Sequence, residues 1–389
     1  MHKQRGWVTE LLRDLLAVPS ESCHETDAME LLQQRLNLLN VVCDRVPMSN
    51  AIKHHPDYSF PLDGVNYDGR WNLRVILPGK SGKSIAFNSH MDVVPPSPNQ
   101  TDAYSPRLDN DGNMFARGAC DAKGQIVVMA LLLKVFSELE MSKNTLVFDF
   151  VVEEEIGGNG TLSLLDSRRT PLDALVNLEP TDLRIMTSIR GAVWFDATFS
   201  GLAGHSGNST GTVSALEKAI NAIAELKCYH AQLLKRSHHY PLFAGLENPM
   251  PLTIGKLCAG NWPSTVPGSA NLAGVLGFLP NENKDSVIDA LREILGVDAK
   301  FTYRHNAVEL DTSHPLAIAM KDAANLMEIP SEFHAMTAST DAIFYQEKGT
   351  PSLAFGPGSL ANAHSCSEHI AIEDILLAAS TLYSFANTF

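Results

Sequence analysis

The sequence predicts an α/β fold, a central mixed sheet flanked by helices, interrupted by a smaller inserted α+β unit. Three observations carry that expectation. Residues 1–190 alternate short apolar strands with amphipathic helices, as a sheet covered by helices requires. Residues 191–305 switch to strand, helix, strand, strand, helix, strand, the ferredoxin-like succession of a small open sheet. After Asp311 the first pattern resumes, so residues 306–389 complete the domain that residues 1–190 begin.

Val8 to Ala17 places Leu11, Leu12, Leu15 and Leu16 on one helical face, and Pro19 ends it. A second amphipathic helix over Thr26 to Leu39 leads into a strand at Val41 to Val46. Residues 47–70 are rich in Pro, Asp, His and Gly without a sustained period and read as a loop; His54 and His55 within it read as solvated. Asn72 to Leu77, the turn Gly79 to Gly82 and Ser84 to Asn88 read as a hairpin. An apolar helix follows at Gln125 to Phe136, then strands at Asn144 to Val152 and Ala174 to Leu178.

In the inserted unit, Val193 to Phe199 alternates as a strand, Gly201 to Gly211 is a small-residue loop, and Val213 to Leu226 is helical. Strands at Pro251 to Leu257 and Ala270 to Leu279, a helix at Asn283 to Leu295 and a strand at Lys300 to Arg304 complete it. The resumed domain has a helix at Pro315 to Met327, a strand at Ser352 to Phe355 and a terminal helix at Glu373 to Ala386.

Composition narrows the function. The 30 Lys plus Arg against 44 Asp plus Glu give a formal charge of −14, which repels nucleic acid and anionic membranes. The longest apolar run, Ile126 to Leu133, is far short of the ~20 residues that span a bilayer. No amino-terminal signal peptide is expected, because Glu10, Arg13 and Asp14 interrupt the first apolar residues. The six cysteines form no Cys-x-x-Cys pair; reduced, mostly buried thiols in a cytoplasmic protein are expected.

His90, Asp121, Glu155, Glu179 and His364 each fall at or just past a strand end or helix start. In open α/β sheets ligands gather beyond the carboxyl ends of strands, so these residues can converge. Asp92, two positions after His90, leaves the chain on the same face and suits an imidazole's supporting carboxylate. Taken singly, Asp121 also reads as a helix cap, and Glu153, Glu154 and Glu155 as a solvated acidic loop. Together, two His and three carboxylates form a mixed nitrogen and oxygen donor set suited to zinc, with one carboxylate able to bridge two ions.

At this point the chain resembles the zinc metallopeptidases that include acetylornithine deacetylase, succinyl-diaminopimelate desuccinylase, glutamate carboxypeptidase and the aminoacylases. The resemblance rests on Ser89-His90-Met91-Asp92-Val93-Val94-Pro95, Ala116 to Gly124, Glu153-Glu154-Glu155-Ile156-Gly157, Glu179-Pro180-Thr181 and Ala363 to Glu368. Gly356 to Leu360 and Ser339 to Ala342 look most like the deacetylase branch. The resemblance implies a zinc-exopeptidase-like catalytic domain with an inserted lid and dimerisation domain.

It also implies two zinc ions per chain, replaceable by cobalt or manganese: His90 and Glu179 on one, Glu155 and His364 on the other, Asp121 bridging. Asp92 would orient His90, and Glu154 would be the general base. His205 would steady the oxyanion, in dimeric members from the partner subunit, which implies a homodimer formed through the inserted domain.

Three positions depart from the family pattern. Glu153 stands where many members have Asp, Ser264 where many have Asn, and Val275 where several relatives place an arginine that grips the substrate carboxylate. None of Asn271 to Pro280 is basic, so recognition of that carboxylate must use another cation, such as Arg190 or Arg304, or the substrate lacks it. The implied activity is hydrolysis of the amide of an N-acyl amino acid or a close analogue. The alternative is a di- or carboxypeptidase on the same metals. A binding protein that has lost turnover is disfavoured because Glu154, Asp92 and every ligand position are filled. A nicotinamide-binding reading fails for want of Gly-x-Gly-x-x-Gly after the first strand.

Overall fold

The computed structural model describes residues 1–80, 82–139, 142–166, 171–208 and 210–389. Ser81 of the expected turn and Ser209 of the His205 loop lie outside them. Among the described residues the main body is a nine-stranded mixed sheet. Its order is Cys43–Pro47, Trp71–Leu77, Thr145–Val151, Ser84–His90, Ala174–Asn177, Ser352–Ala354, Ile185–Ile189 and Val308–Glu309, with Phe333–Met336 also pairing to Ile185–Ile189. Helices Arg5–Leu16, Gly124–Leu139 and Ile372–Thr388 pack with one another over this sheet. Gly124–Leu139 buries Ile126 through Leu133 without a break, so it is a core helix with no polar face over that stretch.

The expected hairpin does not form. Trp71–Leu77 and Ser84–His90 are separated by Thr145–Val151, which pairs antiparallel with the first and parallel with the second. Thr145–Val151 is buried from Leu146 onward. A strand covered on both faces and lined with β-formers needs hydrogen-bonding partners on both edges, and here that requirement overrides the local turn.

Gly191–Ser200, Leu252–Ala259, Ser269–Phe278 and Lys300–His305 form a separate four-stranded antiparallel sheet. With helices Ala215–Ser237 and Lys284–Leu295 it follows the ferredoxin-like succession. Val193, Phe195, Leu226, Leu276, Val287 and Leu291 belong to its own buried cluster. The helix expected to end at Leu226 continues to Ser237, with Leu233 buried in the same cluster.

The sequence also missed short elements, among them Asn159–Asp166, Ile185–Ile189, Phe333–Met336 and Ala342–Glu347. Each is too short to complete a helical or alternating pattern. All six cysteines are free, but the expectation of mostly buried thiols fails: Cys120 is buried, while Cys228, Cys258 and Cys366 are exposed. Cys228 lies on a solvated helix face and Cys258 near the end of an edge strand, where no core is available to cover them. No helix among the described residues is long and apolar enough to cross a membrane.

Candidate metal centre and active site

Ser84–His90, Thr145–Val151, Ala174–Asn177 and Ser352–Ala354 run parallel to their neighbours in this set. Their carboxyl ends therefore deliver His90, the acids Glu153 to Glu155, Glu179 and the loop of His364 to one edge of the sheet. His90 Nδ1 lies 3.0 Å from the Asp92 carbonyl. A carbonyl only accepts, so Nδ1–H donates, and Nε2 faces Asp121 Oδ1 at 3.0 Å. His364 Nε2 lies 3.1 Å from Glu155 Oε1 and 3.4 Å from Asp121 Oδ2. Asp121 thus turns one oxygen to each imidazole.

Asp121 is no helix cap. It occupies non-helical backbone within Ala119–Lys123, ahead of the helix Gly124–Leu139, and its peptide bond to Ala122 is cis. Glu368 Oε1 accepts the N–H groups of both Cys120 and Asp121 at 3.1 Å. Arg117 Nη1 donates to Glu368 Oε2 at 2.5 Å, and Arg117 Nη2 to the carbonyl of His364 at 3.2 Å. Arg117 and Glu368 lie inside motifs that sequence comparison singles out, yet only the contacts reveal that they tie Asp121 and His364 together.

The three consecutive acids separate by direction. Glu153, with φ +66°, turns its buried carboxylate inward to Arg70 and to Tyr67, whose hydroxyl donates to Oε2 at 2.7 Å. Glu154 and Glu155 line the cavity instead. Asp92 holds the turn between them: its Oδ1 accepts the Glu154 N–H at 3.0 Å, and its Oδ2 accepts the Glu155 N–H at 3.1 Å and the Ser22 hydroxyl at 2.8 Å. Its carbonyl makes a shorter contact to His90 Nδ1 than its carboxylate does, the latter at 3.4 Å. Gly158, at φ +67°, completes the turn, and a Cβ there would fall 2.2 Å from Asp341 Oδ1.

Glu179 follows its strand into the same cavity, nearly buried, and its Oε1 has no hydrogen-bond partner among the described residues. The cavity, about 440 Å³, is lined by these acids and His364 on one side and by Ala192, Trp194, Val275, Met336 and Leu360 on another. Trp194 and Tyr303 stack with ring centroids 5.0 Å apart at its wall. His205 is elsewhere. It is exposed in the two-residue strand Gly204–His205, where its Nδ1 accepts the Gly207 N–H at 3.1 Å, and it does not line the cavity.

Too many carboxylates share too little water for all to stay ionised. Burial first, then neighbouring acids, push Glu154 and Glu179 well above the usual carboxylate range. Burial raises Glu155 to about 7, and burial likewise raises Asp341, beside Thr161, to about 7. Burial opposes the charging of His90, but hydrogen bonds to Asp121 and Asp92 outweigh it and raise the imidazole. Hydrogen bonds to Asp121 and Glu155 raise His364 to about 10.

This donor set fits divalent cations. His90, Asp121 and Glu155 offer ligand atoms within 4.8 Å of one another. His364 reaches two of the same carboxylates, and the unpartnered Glu179 oxygen is the acceptor that a cation would satisfy.

The sequence profile of peptidase family M20/M25/M40 matches residues 86–388, most of the chain and every site residue from His90 to His364. The chain belongs to this family. Its members are metal-dependent hydrolases of amide bonds, deacylases and peptidases among them. The chain is 28% identical to a probable carboxypeptidase of Aspergillus terreus, across 93% of this chain and 82% of that one. It is 25% identical to an acetylornithine deacetylase of Myxococcus xanthus, across 78% and 80%. Among solved structures, an M20 family metallo-carboxypeptidase from Sulfolobus solfataricus superposes with a TM-score of 0.78 at 16% identity, covering 98% of each chain. At that identity the likeness is one of fold.

Proposed function

We propose that this M20/M25/M40 family member hydrolyses the amide bond of an N-acyl amino acid or a close analogue. The observation that carries the reading is Asp121, each of whose oxygens faces a different imidazole while Glu154 lines the cavity beside it. His90 and Glu179 would hold one metal ion, Glu155 and His364 a second, and Asp121 would lie between them. Nitrogen and carboxylate oxygen donors of this kind suit zinc. Bound there, two such ions supply Lewis acidity and a water acidic enough to lose a proton near neutral pH.

The remaining work belongs to the chain. Glu154 accepts the proton of the attacking water on its carboxylate and returns it to the leaving amine nitrogen, so the amine departs neutral. Asp92 holds the Glu154 N–H and so sets where that carboxylate sits. Burial raises the proton affinity of the Glu154 carboxylate, which strengthens it as the base that takes a proton in one step and gives it up in the next. Trp194, Val275 and Met336 supply an apolar wall that limits water around the substrate.

Residues 191–305 act in this reading as a lid and dimerisation domain. His205, exposed and outside its own chain's cavity, would steady the oxyanion of the partner subunit. Di- or carboxypeptidase activity is the second reading, favoured by the similarity to the Aspergillus terreus protein along 93% of the chain. The deciding experiment is hydrolysis of formyl, acetyl and succinyl amino acids and of dipeptides by zinc-loaded protein, with metal content measured on the same sample. Cleavage of the acyl amino acids over the dipeptides is expected. Under one transition-metal equivalent after loading, or no cleavage of any amide by fully loaded protein, overturns the reading.

A further inference from the structure

Arg190 stands between the strands Ile185–Ile189 and Gly191–Ser200, at the crossing from the main sheet to the four-stranded sheet. Its backbone N–H donates to the Met336 carbonyl at 3.2 Å, which pins the crossing. Its side chain lines the cavity that holds Asp121, Glu154, Glu155 and Glu179. Nε and Nη1 are both buried, and neither has a hydrogen-bond partner among the described residues. Gly277 makes the room: a Cβ there would meet Arg190 Nη1 at 3.1 Å and Cδ at 3.3 Å.

A buried guanidinium with unmet donors is costly unless an anion completes it. Burial lowers its pKa only to about 10, so it stays charged at neutral pH. The other candidate cation faces away: Arg304 also buries an unpartnered Nε, but its Nη2 donates to the Tyr58 carbonyl at 2.6 Å, its guanidinium lies over Phe60, and it does not line the cavity. Beside Arg190 the wall is apolar, with Ala192, Trp194 and Val275, and Val275 is the cross-strand partner of Trp194.

Resting on the amide-hydrolase reading above, we infer that Arg190 is the carboxylate-binding and specificity-determining residue of this cavity, selecting substrates with a free carboxylate and an adjoining apolar side chain. A planar guanidinium meets a carboxylate through two parallel N–H···O bonds, a match that a carboxamide does not offer. Trp194, Val275 and Met336 then receive the apolar side chain.

The test compares N-acetyl-L-leucine, N-acetyl-L-methionine and N-acetyl-L-phenylalanine with their carboxamides on the zinc-loaded full chain. Binding is followed by calorimetric titration, and KM and kcat are measured separately. The wild type is expected to prefer acids over carboxamides. Arg190→Gln is expected to lower that preference by at least ~30-fold, in Kd and KM rather than kcat, the scale of a lost hydrogen bond to a charged group. Arg304→Gln, matched for thermal midpoint, is expected to keep the preference. Arg190→Lys, which keeps the charge but not the fork, is expected to recover only part of it and serves if the glutamine variant misfolds.

No preference for acids in the wild type, or a preference that survives loss of Arg190, overturns the assignment while leaving amide hydrolysis standing. Arg190-dependent binding of the acids without their cleavage supports the assignment and counts against the hydrolase reading instead. Failure of every acid to bind saturably overturns it.

Discussion

Glu368 holds Asp121 by its backbone: Oε1 accepts the Asp121 N–H at 3.1 Å, from 247 residues away in sequence. The same oxygen takes the Cys120 N–H, and Arg117 clamps the other oxygen. Asp121 faces both imidazoles, so its position governs both halves of the donor set. Glu368→Ala is expected to weaken metal affinity by ~10–100-fold, the usual effect of removing a group that orients a ligand. Chelator competition with zinc measures it. An unchanged affinity would show that Asp121 is held well enough without Glu368.

Glu154→Gln separates chemistry from construction. The Asp92 contact is to the Glu154 backbone, so the turn survives the substitution. Metal content and thermal midpoint should stay near wild type while turnover falls by at least ~100-fold, the scale of a lost general base. Glu153 is not available as a substitute, being turned inward to Arg70 and Tyr67. Full turnover by the glutamine variant would sink the base assignment.

Arg70 lies buried between two carboxylates, with Nη2 2.8 Å from Glu25 Oε2 and Nη1 on Glu153 Oε1. Arg70→Leu leaves both acids buried without a counter-charge and is expected to cost ~3–5 kcal/mol in denaturant unfolding. Adding Glu25→Gln and Glu153→Gln to the same chain should restore part of that loss, because the stranded charges are then gone. A loss under ~1 kcal/mol for Arg70→Leu alone would mean that water reaches the network.

Subunit mixing tests the role of His205. Glu154→Ala and His205→Ala should each be inactive alone. If His205 serves the partner's site, half of randomly mixed dimers are heterodimers, each with one site intact, so equal mixing recovers about a quarter of wild-type activity. Should His205 serve its own chain, every site keeps a defect and activity stays at baseline after verified exchange; if it serves neither site, His205→Ala is active on its own, which removes the residue from the mechanism.

Much of this protein was legible from the sequence alone. The alternation of apolar strands and helices, and the switch near residue 191, are local patterns set by side-chain periodicity, and the sheets follow them. His90, Asp121, Glu155, Glu179 and His364 stand out because metal-ligating residue types recur where strands end. Only the tertiary structure decided which neighbours meet. It placed Thr145–Val151 between two strands that sequence proximity would have joined, because a strand buried on both faces takes partners on both edges. It separated Glu153 from Glu154 and Glu155 through one backbone angle and a buried arginine. It set Asp92 to holding a turn as well as a histidine, and it brought Arg190 rather than Arg304 to the cavity. These are contacts between residues tens to hundreds of positions apart, fixed by packing and by the need to pair buried charge, and no local period along the chain records them.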